Sequence, residues 1–295
     1  MYYNNDTILF IDGRFVKASE AKVDFFSQTL HYGYGVFEGI RAYQTVNGVK
    51  IFKAFEHYER LKHSAKLLGI PYNYDTEELT QATYQVLEKN NQGNAYIRPL
   101  LLCDNNMSLT GAKEATLMIS TWEWGKYFGE EQLKICVSSY QRPNPKSTKI
   151  EAKACGHYVN SILASREAKE RGFDEGLLLD MEGFVAEGPG ANFFFEKDGV
   201  LYTPPLGNIL PGITRQTILE ICKELDLRVV EKLFKPEDLF DADSAFFCGT
   251  AAEVTAIESI EGQVFAKPWK ESMGAIIKEA YRSLVLDKSY SYVIV

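Results

Sequence analysis

No run of apolar residues in this chain is longer than four, although 45% of its 295 residues are hydrophobic. No helix built from such a sequence can span a bilayer, so the apolar residues are expected in short strands and amphipathic helices. Ile8-Leu-Phe-Ile11, an Asp12-Gly13 turn and Phe15-Val16 predict a hairpin. Phe55, Tyr58, Leu61, Ala65 and Leu68 recur at helical spacing over 53–68, and Gly69 and Pro71 end that helix. A second helix near 76–90 and strands over 95–103 and 115–120 follow. Trp122 to Gln132 is aromatic, charged and glycine-punctuated, and reads as a connection between a first domain over 1–121 and a second over 133–295. That division agrees with about two domains of roughly 150 residues each.

The second domain resumes with a strand at 133–138 and a helix near 157–171. A strand-rich block covers 177–179, 184–187, 192–196 and 200–203. A helix over 214–225, strands at 228–231 and 244–248, and a helix over roughly 269–284 complete it. This order is an α+β mixture with meandering strands rather than a regular β–α alternation.

The net charge of −8 argues against a nucleic-acid partner, which needs a basic face, and favours a small-molecule substrate. The start lacks the basic and long apolar regions of a signal peptide. Cys103, Cys136, Cys155, Cys222 and Cys248 are scattered and form no C-x-x-C pair. Reduced thiols and a cytoplasmic location are the expectation, with no membrane partner.

Phosphate-loop, zinc-protease and serine-elbow motifs are absent from the sequence. Gly33, Gly35 and Gly39 have the wrong spacing for a dinucleotide loop, and no apolar strand precedes them. His57 and His63 lie six apart, off a common helical face, so they are expected as solvated helix residues and no metal site is expected.

Other residues answer the four needs of a pyridoxal-phosphate site: a lysine, a carboxylate for the ring nitrogen, anion-binding backbone and a polar contact for the ring hydroxyl. Lys153 lies among small residues in Glu151-Ala-Lys-Ala-Cys-Gly-His-Tyr158, just before a helix. Glu187 stands at a strand end beside glycines, where a carboxylate can approach a flat ring closely. Pro211-Gly-Ile-Thr214 opens a helix, with Thr214 as its expected cap. Gly249-Thr-Ala-Ala252 suits a backbone anion nest. Taken singly, each has an ordinary alternative: a surface lysine such as Lys146 or Lys149, a turn glutamate, a helix cap, a turn.

Together these segments resemble the class IV aminotransferases, the fold-type IV pyridoxal-phosphate enzymes, and within them the branched-chain amino-acid type. The likeness runs in family order through His31-Tyr-Gly-Tyr-Gly-Val-Phe-Glu-Gly-Ile-Arg41, Glu56-His-Tyr-Glu-Arg-Leu61, Ala95-Tyr-Ile-Arg-Pro99, Ala152-Lys-Ala154, Glu187-Gly188 with Gly190 and Asn192, Leu210-Pro-Gly-Ile-Thr-Arg215, and Gly249-Thr-Ala-Ala-Glu253. It implies a two-domain fold with a small N-terminal α/β domain and a larger C-terminal cofactor-binding domain. By the same likeness Lys153 is the catalytic Schiff-base lysine, Glu187 the partner of the ring nitrogen, and Tyr158 that of the ring hydroxyl. Arg60, Ile213, Thr214 and Thr250 would cradle the phosphate, Ile213 through its backbone.

The resemblance also implies a substrate side. Tyr96, Arg98 and the Thr250–Ala251 turn would take an α-carboxylate, and Phe37, Trp124, Tyr127 and Tyr158 would line an apolar pocket. Tyr32, Met107 and Leu109 of a neighbouring subunit would complete it, since in the family the site lies between domains and needs a second chain. A homodimer or higher homo-oligomer follows from that likeness. The implied reaction moves an amino group between branched-chain L-amino acids and 2-oxoglutarate. A D-amino-acid aminotransferase, an aminodeoxychorismate lyase and a non-catalytic binding protein on the same fold are the alternatives. Ala191 where the family often has glutamate, the Cys155-Gly-His-Tyr158 run and the Asp104–Leu109 loop depart from the common pattern without removing a group that the chemistry requires.

Overall fold

The structure is a computed structural model that describes residues 2–125, 127–129 and 131–288. The chain divides into two compact units, one of residues 1–125 with 152–157 and one of residues 126–151 with 158–295. The segment 152–157, with Lys153, therefore counts with the first unit, although the sequence places it inside the second. The reason is backbone pairing. Phe37 N–H donates to Lys153 O at 3.1 Å, Gly156 N–H donates to Gly33 O at 3.0 Å, and Ala154 bridges Val36.

The first unit holds strands β1 (Ile8–Ile11), β2 (Arg14–Lys17), β3 (Gly35–Phe37), β4 (Ile40–Thr45), β5 (Gly48–Ile51), β6 (Ala95–Cys103) and β7 (Ala115–Trp122). They form one antiparallel sheet in the order β2-β1-β7-β6-β4-β5, and β3 also pairs with β6. The helices are α1 (Gln28–Tyr32), α2 (Ala54–Leu68) and α3 (Thr76–Lys89). Asp75 caps α3, its Oδ1 accepting from Glu77 N at 2.9 Å and Glu78 N at 3.0 Å. Tyr58 and Leu61 of α2 join Val36, Ile40, Ile97 and Leu101 in a core that excludes water. Phe55, expected on the same stripe, is exposed; Ala54 and His57 are buried on this helix instead.

Both β3 and β4 run along one edge of β6, Phe37 opposite Leu100 and Ile40 opposite Ile97. Pro99 lies between, and it has no N–H to give to a ladder. The neighbouring strand breaks there at Glu38 and Gly39, and Glu38 N–H donates to the Pro99 carbonyl at 2.8 Å. A proline in β6 thus separates β3 from β4 and sets the position of Glu38.

The second unit holds β8 (Leu133–Gln141), β9 (Glu175–Leu179), β10 (Val185–Glu187), β11 (Asn192–Lys197), β12 (Val200–Thr203), β13 (Val229–Glu231), β14 (Ser244–Gly249), β15 (Glu253–Ile260) and β16 (Gln263–Val264). Their order is β10-β9-β8-β15-β14-β11-β12-β13. A further β10–β11 pairing closes the strands from β10 to β11 into a ring. Helix α4 (Tyr158–Glu170) packs on β8 and β9, α5 (Ile213–Glu224) on β14, and α6 (Met273–Val285) on β14 and β15. This arrangement explains the Phe193-Phe-Phe195 run. Phe193 and Phe195 join Phe247 in one buried cluster, while Phe194 stacks on Phe246 at 5.1 Å. A strand covered on both faces reads as continuously apolar.

Among the described residues no helix is long and apolar enough to cross a membrane. Leu61 is fully buried in the first unit, so Leu61→Ala is expected to lower the unfolding free energy by about 3 kcal/mol. A denaturant titration that shows no loss would contradict this packing.

Candidate functional site

Two groups of side chains stand out, one in each unit. In the first, Lys153 is fixed at its backbone from two sides, by Phe37 and by Ser64 of α2, whose Oγ accepts from Lys153 N–H at 3.1 Å. Its Nζ stands 5.1 Å from the Phe37 ring centre. The Arg98 guanidinium carbon lies 4.5 Å from the same ring, and its Nη2 donates to the Tyr96 hydroxyl at 3.2 Å. Residues 96 and 98 share a strand face, and the Tyr96 ring meets that of Trp124 edge-on at 4.8 Å. Gly39 makes the close approach possible, since a Cβ there would stand 2.0 Å from the Tyr96 hydroxyl oxygen. Arg98 Nε is buried and meets no acceptor among the described residues. An unmet charged donor costs more than a made hydrogen bond gains, so this atom suits an anionic ligand.

Arg60 lies one helical turn before Ser64 on α2. Its Nε donates to Glu38 Oε1 at 2.7 Å and its Nη2 to Glu38 Oε2 at 2.8 Å. His57 Nδ1 lies 2.7 Å from the same Oε2, and Glu38 and His57 are both buried. The expectation that His57 is solvated is therefore corrected: it sits on the inner face of α2, drawn to a buried carboxylate. Burial raises the Glu38 carboxyl, but the Arg60 charge and the hydrogen bonds of Arg60 and His57 outweigh it and hold Glu38 well below the usual carboxylate range. Burial keeps the His57 imidazole below its ordinary value against the pull of Glu38, and the charges of Arg60 and Lys153 act with burial. A neutral imidazole therefore donates Nδ1–H to an acceptor-only carboxylate. Burial also pushes the Cys155 thiol up to about 11, so it stays a packed, protonated thiol.

Tyr32, Met107 and Leu109 lie on the exposed side of this unit, with the Tyr32 hydroxyl donating to Met107 O at 3.1 Å. Phe25, Phe26 and Leu30 are exposed with them, Phe25 by 76% and Leu109 by 91%. These six large apolar side chains of this unit are thus exposed.

In the second unit the register gathers strand ends. Glu187 closes β10 opposite Asn192, which opens β11 opposite Cys248 near the end of β14. Glu187 is buried, and Arg142 Nη2 reaches its Oε1 at 2.9 Å. Leu210 N–H donates to Oε1 at 3.0 Å and Asn192 Nδ2 to Oε2 at 2.8 Å. Asn192 Nδ2 also donates to Leu210 O at 3.0 Å, which ties the carboxylate to the segment leading into α5. Ile213 and Thr214 are the first residues of α5, where backbone N–H groups have no intrahelical acceptor. Gly212 holds the cap position and there is no side-chain cap, so Thr214 lies inside the helix rather than capping it. A Cβ at Gly212 would strike Asn192 Oδ1 at 1.9 Å, which explains glycine there. Thr250 and Ala251 follow Gly249, itself packed against Gly190 and Ala191. Tyr158 begins α4, and Tyr127 is exposed with its ring 4.6 Å from that of Phe128.

Within the first unit the structure brings Lys153 and Arg98 to the Phe37 ring, Arg98 to Tyr96 and Tyr96 to Trp124, with Arg60 on the helix that holds the Lys153 N–H. In the second it brings Glu187, the start of α5 and the Thr250 turn to one end of the sheet. Sequence reading missed Glu38 and Arg142. Glu38 carried one available signal, a lone charge in an otherwise apolar and glycine run; Arg142, between a strand end and Pro143, carried none.

The chain is similar to known proteins in sequence and fold. A family model for amino-transferase class IV matches residues 35–260. The branched-chain-amino-acid aminotransferase of Pseudomonas aeruginosa is 39% identical over 98% of this chain and 96% of its own. The branched-chain aminotransferase of the archaeon Thermoproteus uzoniensis, crystallised with norvaline, superposes with a TM-score of 0.92 at 40% identity, covering 97% of each chain. The branched-chain amino acid aminotransferase of Thermobaculum terrenum, in its PLP holo-form, gives 0.90 at 31% identity, covering 98% of this chain and 97% of its own.

The Glu38 and His57 shifts have a pH consequence. For both groups the folded pKa lies below the unfolded one, so their contribution is complete above the unfolded value and lost as pH falls towards the folded one. The loss starts near the ordinary value of 6.5 for His57 and of 4.5 for Glu38. Thermal unfolding between pH 7 and 5 is expected to show a falling midpoint, and His57→Asn to flatten that fall. An unchanged slope in the variant would contradict a neutral, buried His57.

Proposed function

The chain belongs to the class IV aminotransferase family, and on that premise we propose that it transfers the amino group of branched-chain L-amino acids to 2-oxoglutarate with pyridoxal 5′-phosphate as cofactor. The products are branched-chain 2-oxo acids and L-glutamate. The observation that carries this reading on the substrate side is Arg98, a cation with an unmet donor laid on the Phe37 ring that Lys153 also approaches. A carboxylate anchor beside an aromatic wall suits an amino acid with an aliphatic side chain.

The residues present fit the cofactor. Lys153 supplies a primary amine on a fixed backbone. Glu187, a buried carboxylate held by Arg142, Asn192 and Leu210 N–H, suits a protonated ring nitrogen. The start of α5 and the Gly249–Thr250 turn suit a phosphate. When bound, pyridoxal phosphate supplies an electron sink that lets the Cα–H bond of an amino acid ionise.

Each residue then has a defined task. Lys153 Nζ would hold the cofactor and would take the proton from the substrate Cα as general base. Glu187 would hold the ring-nitrogen proton, and Tyr158 would bond the ring hydroxyl. By the family likeness Arg60, Ile213 N–H, Thr214 and Thr250 would hold the phosphate. Tyr96, Arg98 and the Thr250–Ala251 turn hold the α-carboxylate, while Phe37, Trp124 and Tyr127 exclude water around the side chain. Tyr32, Met107 and Leu109 of a second copy complete the pocket; their exposure, with that of Phe25, Phe26 and Leu30, supports a homodimer. The cysteines form no disulfide among the described residues, which supports a reducing, cytoplasmic setting.

Purified holoenzyme is to be offered L-leucine, L-valine, D-alanine and aminodeoxychorismate separately. The two L-amino acids are expected to discharge the absorbance of the bound cofactor, and Lys153→Ala to abolish multiple turnover. Discharge by D-alanine or aminodeoxychorismate alone, or sustained turnover in the variant, would overturn the proposal.

A further inference from the structure

We propose that Glu38 is a positioning residue for anion binding by Arg60: its bidentate hold fixes the plane and direction of the guanidinium that would bind the cofactor phosphate. The inference rests on the reading of Arg60 as a phosphate ligand and adds a residue to which that reading gives no role.

The geometry is that of a clasp. A guanidinium carries five N–H donors in one rigid plane. Glu38 takes the Nε and one Nη2 donor through both of its oxygens, at 2.7 and 2.8 Å. Those two donors are therefore taken, and the plane of the guanidinium is set by the carboxylate. The clasp is itself held. Glu38 is wholly buried, His57 Nδ1 donates to Oε2 at 2.7 Å, and Gly39 N–H reaches the same oxygen at 3.2 Å. The strand break opposite Pro99 fixes its backbone, Glu38 N–H meeting Pro99 O at 2.8 Å. Arg60 comes from a helix and Glu38 from a strand break, so the pair locks two elements of the first unit in register.

Two opposite effects are at stake in removing Glu38. A carboxylate beside a cation weakens the pull of that cation on another anion, so a mere counter-charge would hinder phosphate binding. A carboxylate that orients the fork helps, because a bidentate pair fixes direction as well as charge. The buried, three-sided hold on Glu38 favours orientation, as a simple counter-charge would need neither the bidentate geometry nor the His57 donor. His57 then acts through Glu38: its Nδ1–H stops the carboxylate from rotating away from the guanidinium plane.

The test compares the affinity of apoenzyme for pyridoxamine 5′-phosphate and for pyridoxamine, by fluorescence titration. Their ratio isolates the phosphate contribution from general damage to the fold. Arg60→Met is expected to collapse the ratio; if it does not, the reading of Arg60 as a phosphate ligand fails. Given that collapse, Glu38→Gln is expected to lower the ratio by about tenfold or more, the loss of at least one charge-assisted hydrogen bond. His57→Leu should lower it in the same direction, and His57→Asn, which keeps a donor, should restore it. An unchanged or increased ratio in Glu38→Gln, with Arg60→Met collapsed, overturns the positioning role and leaves Glu38 a counter-charge. Equal loss for both ligands in Glu38→Gln also overturns it, as general damage.

Discussion

The arrangement of the first unit depends on a backbone contact between residues far apart in sequence, the docking of 152–157 on β3 and α2. Phe37 N–H and Lys153 O, Gly156 N–H and Gly33 O, and Lys153 N–H and Ser64 Oγ hold the segment from both sides. Two glycines allow it: a Cβ on Gly33 would stand 2.7 Å from Gly156 Cα, and Gly33 has a φ of +66°. The consequence is a lysine whose backbone is held at both its N–H and its carbonyl. Phe37 contributes twice, by its N–H to the lysine segment and by its ring to Lys153 and Arg98.

Each unit also buries a carboxylate against an arginine, Glu38 with Arg60 and Glu187 with Arg142. The device is the same and the use differs. In the first pair the carboxylate aims a cation; in the second the cation, with Asn192 and Leu210 N–H, keeps an anion in place. Breaking a buried pair of this kind by removing one member costs about 3–5 kcal/mol, because the remaining charge cannot recover its hydration. Both carboxylates lie at strand ends or breaks, where the ladder releases the backbone and glycines neighbour the charge. Pro99 produces the first break, and the β10–β11 corner the second.

Most of the helices and long strands were legible because their apolar spacing survives in sequence. Tyr58, Leu61 and Ala65 mark α2 by period, and Ala95 to Cys103 and Ser244 to Cys248 mark buried strands by continuity. The strands β3, β4 and β5 were not legible: glycines and Glu38 interrupt them, and their pairing depends on Pro99 of a distant strand. The strand β15 was hidden by the turn before it, which Glu253 leaves with a φ of +52°. In the site, collinear motifs identified Lys153, Glu187 and Arg60 as single residues but not their partners. Glu38 joins His57 and Arg60 across a strand and a helix, and Arg142 joins Glu187 between two strands. Such pairs leave no periodicity to read. For the same reason His57 looked solvated, since nothing local announces the carboxylate that it meets.

The central claim is that Lys153 bonds the cofactor, and chemical trapping tests it most directly. Holoenzyme reduced with borohydride fixes the cofactor to its lysine as a stable secondary amine, and peptide mapping by mass spectrometry then locates it. The account predicts the pyridoxyl mass on the peptide containing Lys153. The same mass on Lys146, Lys149 or any other lysine, with Lys153 unmodified, would contradict it.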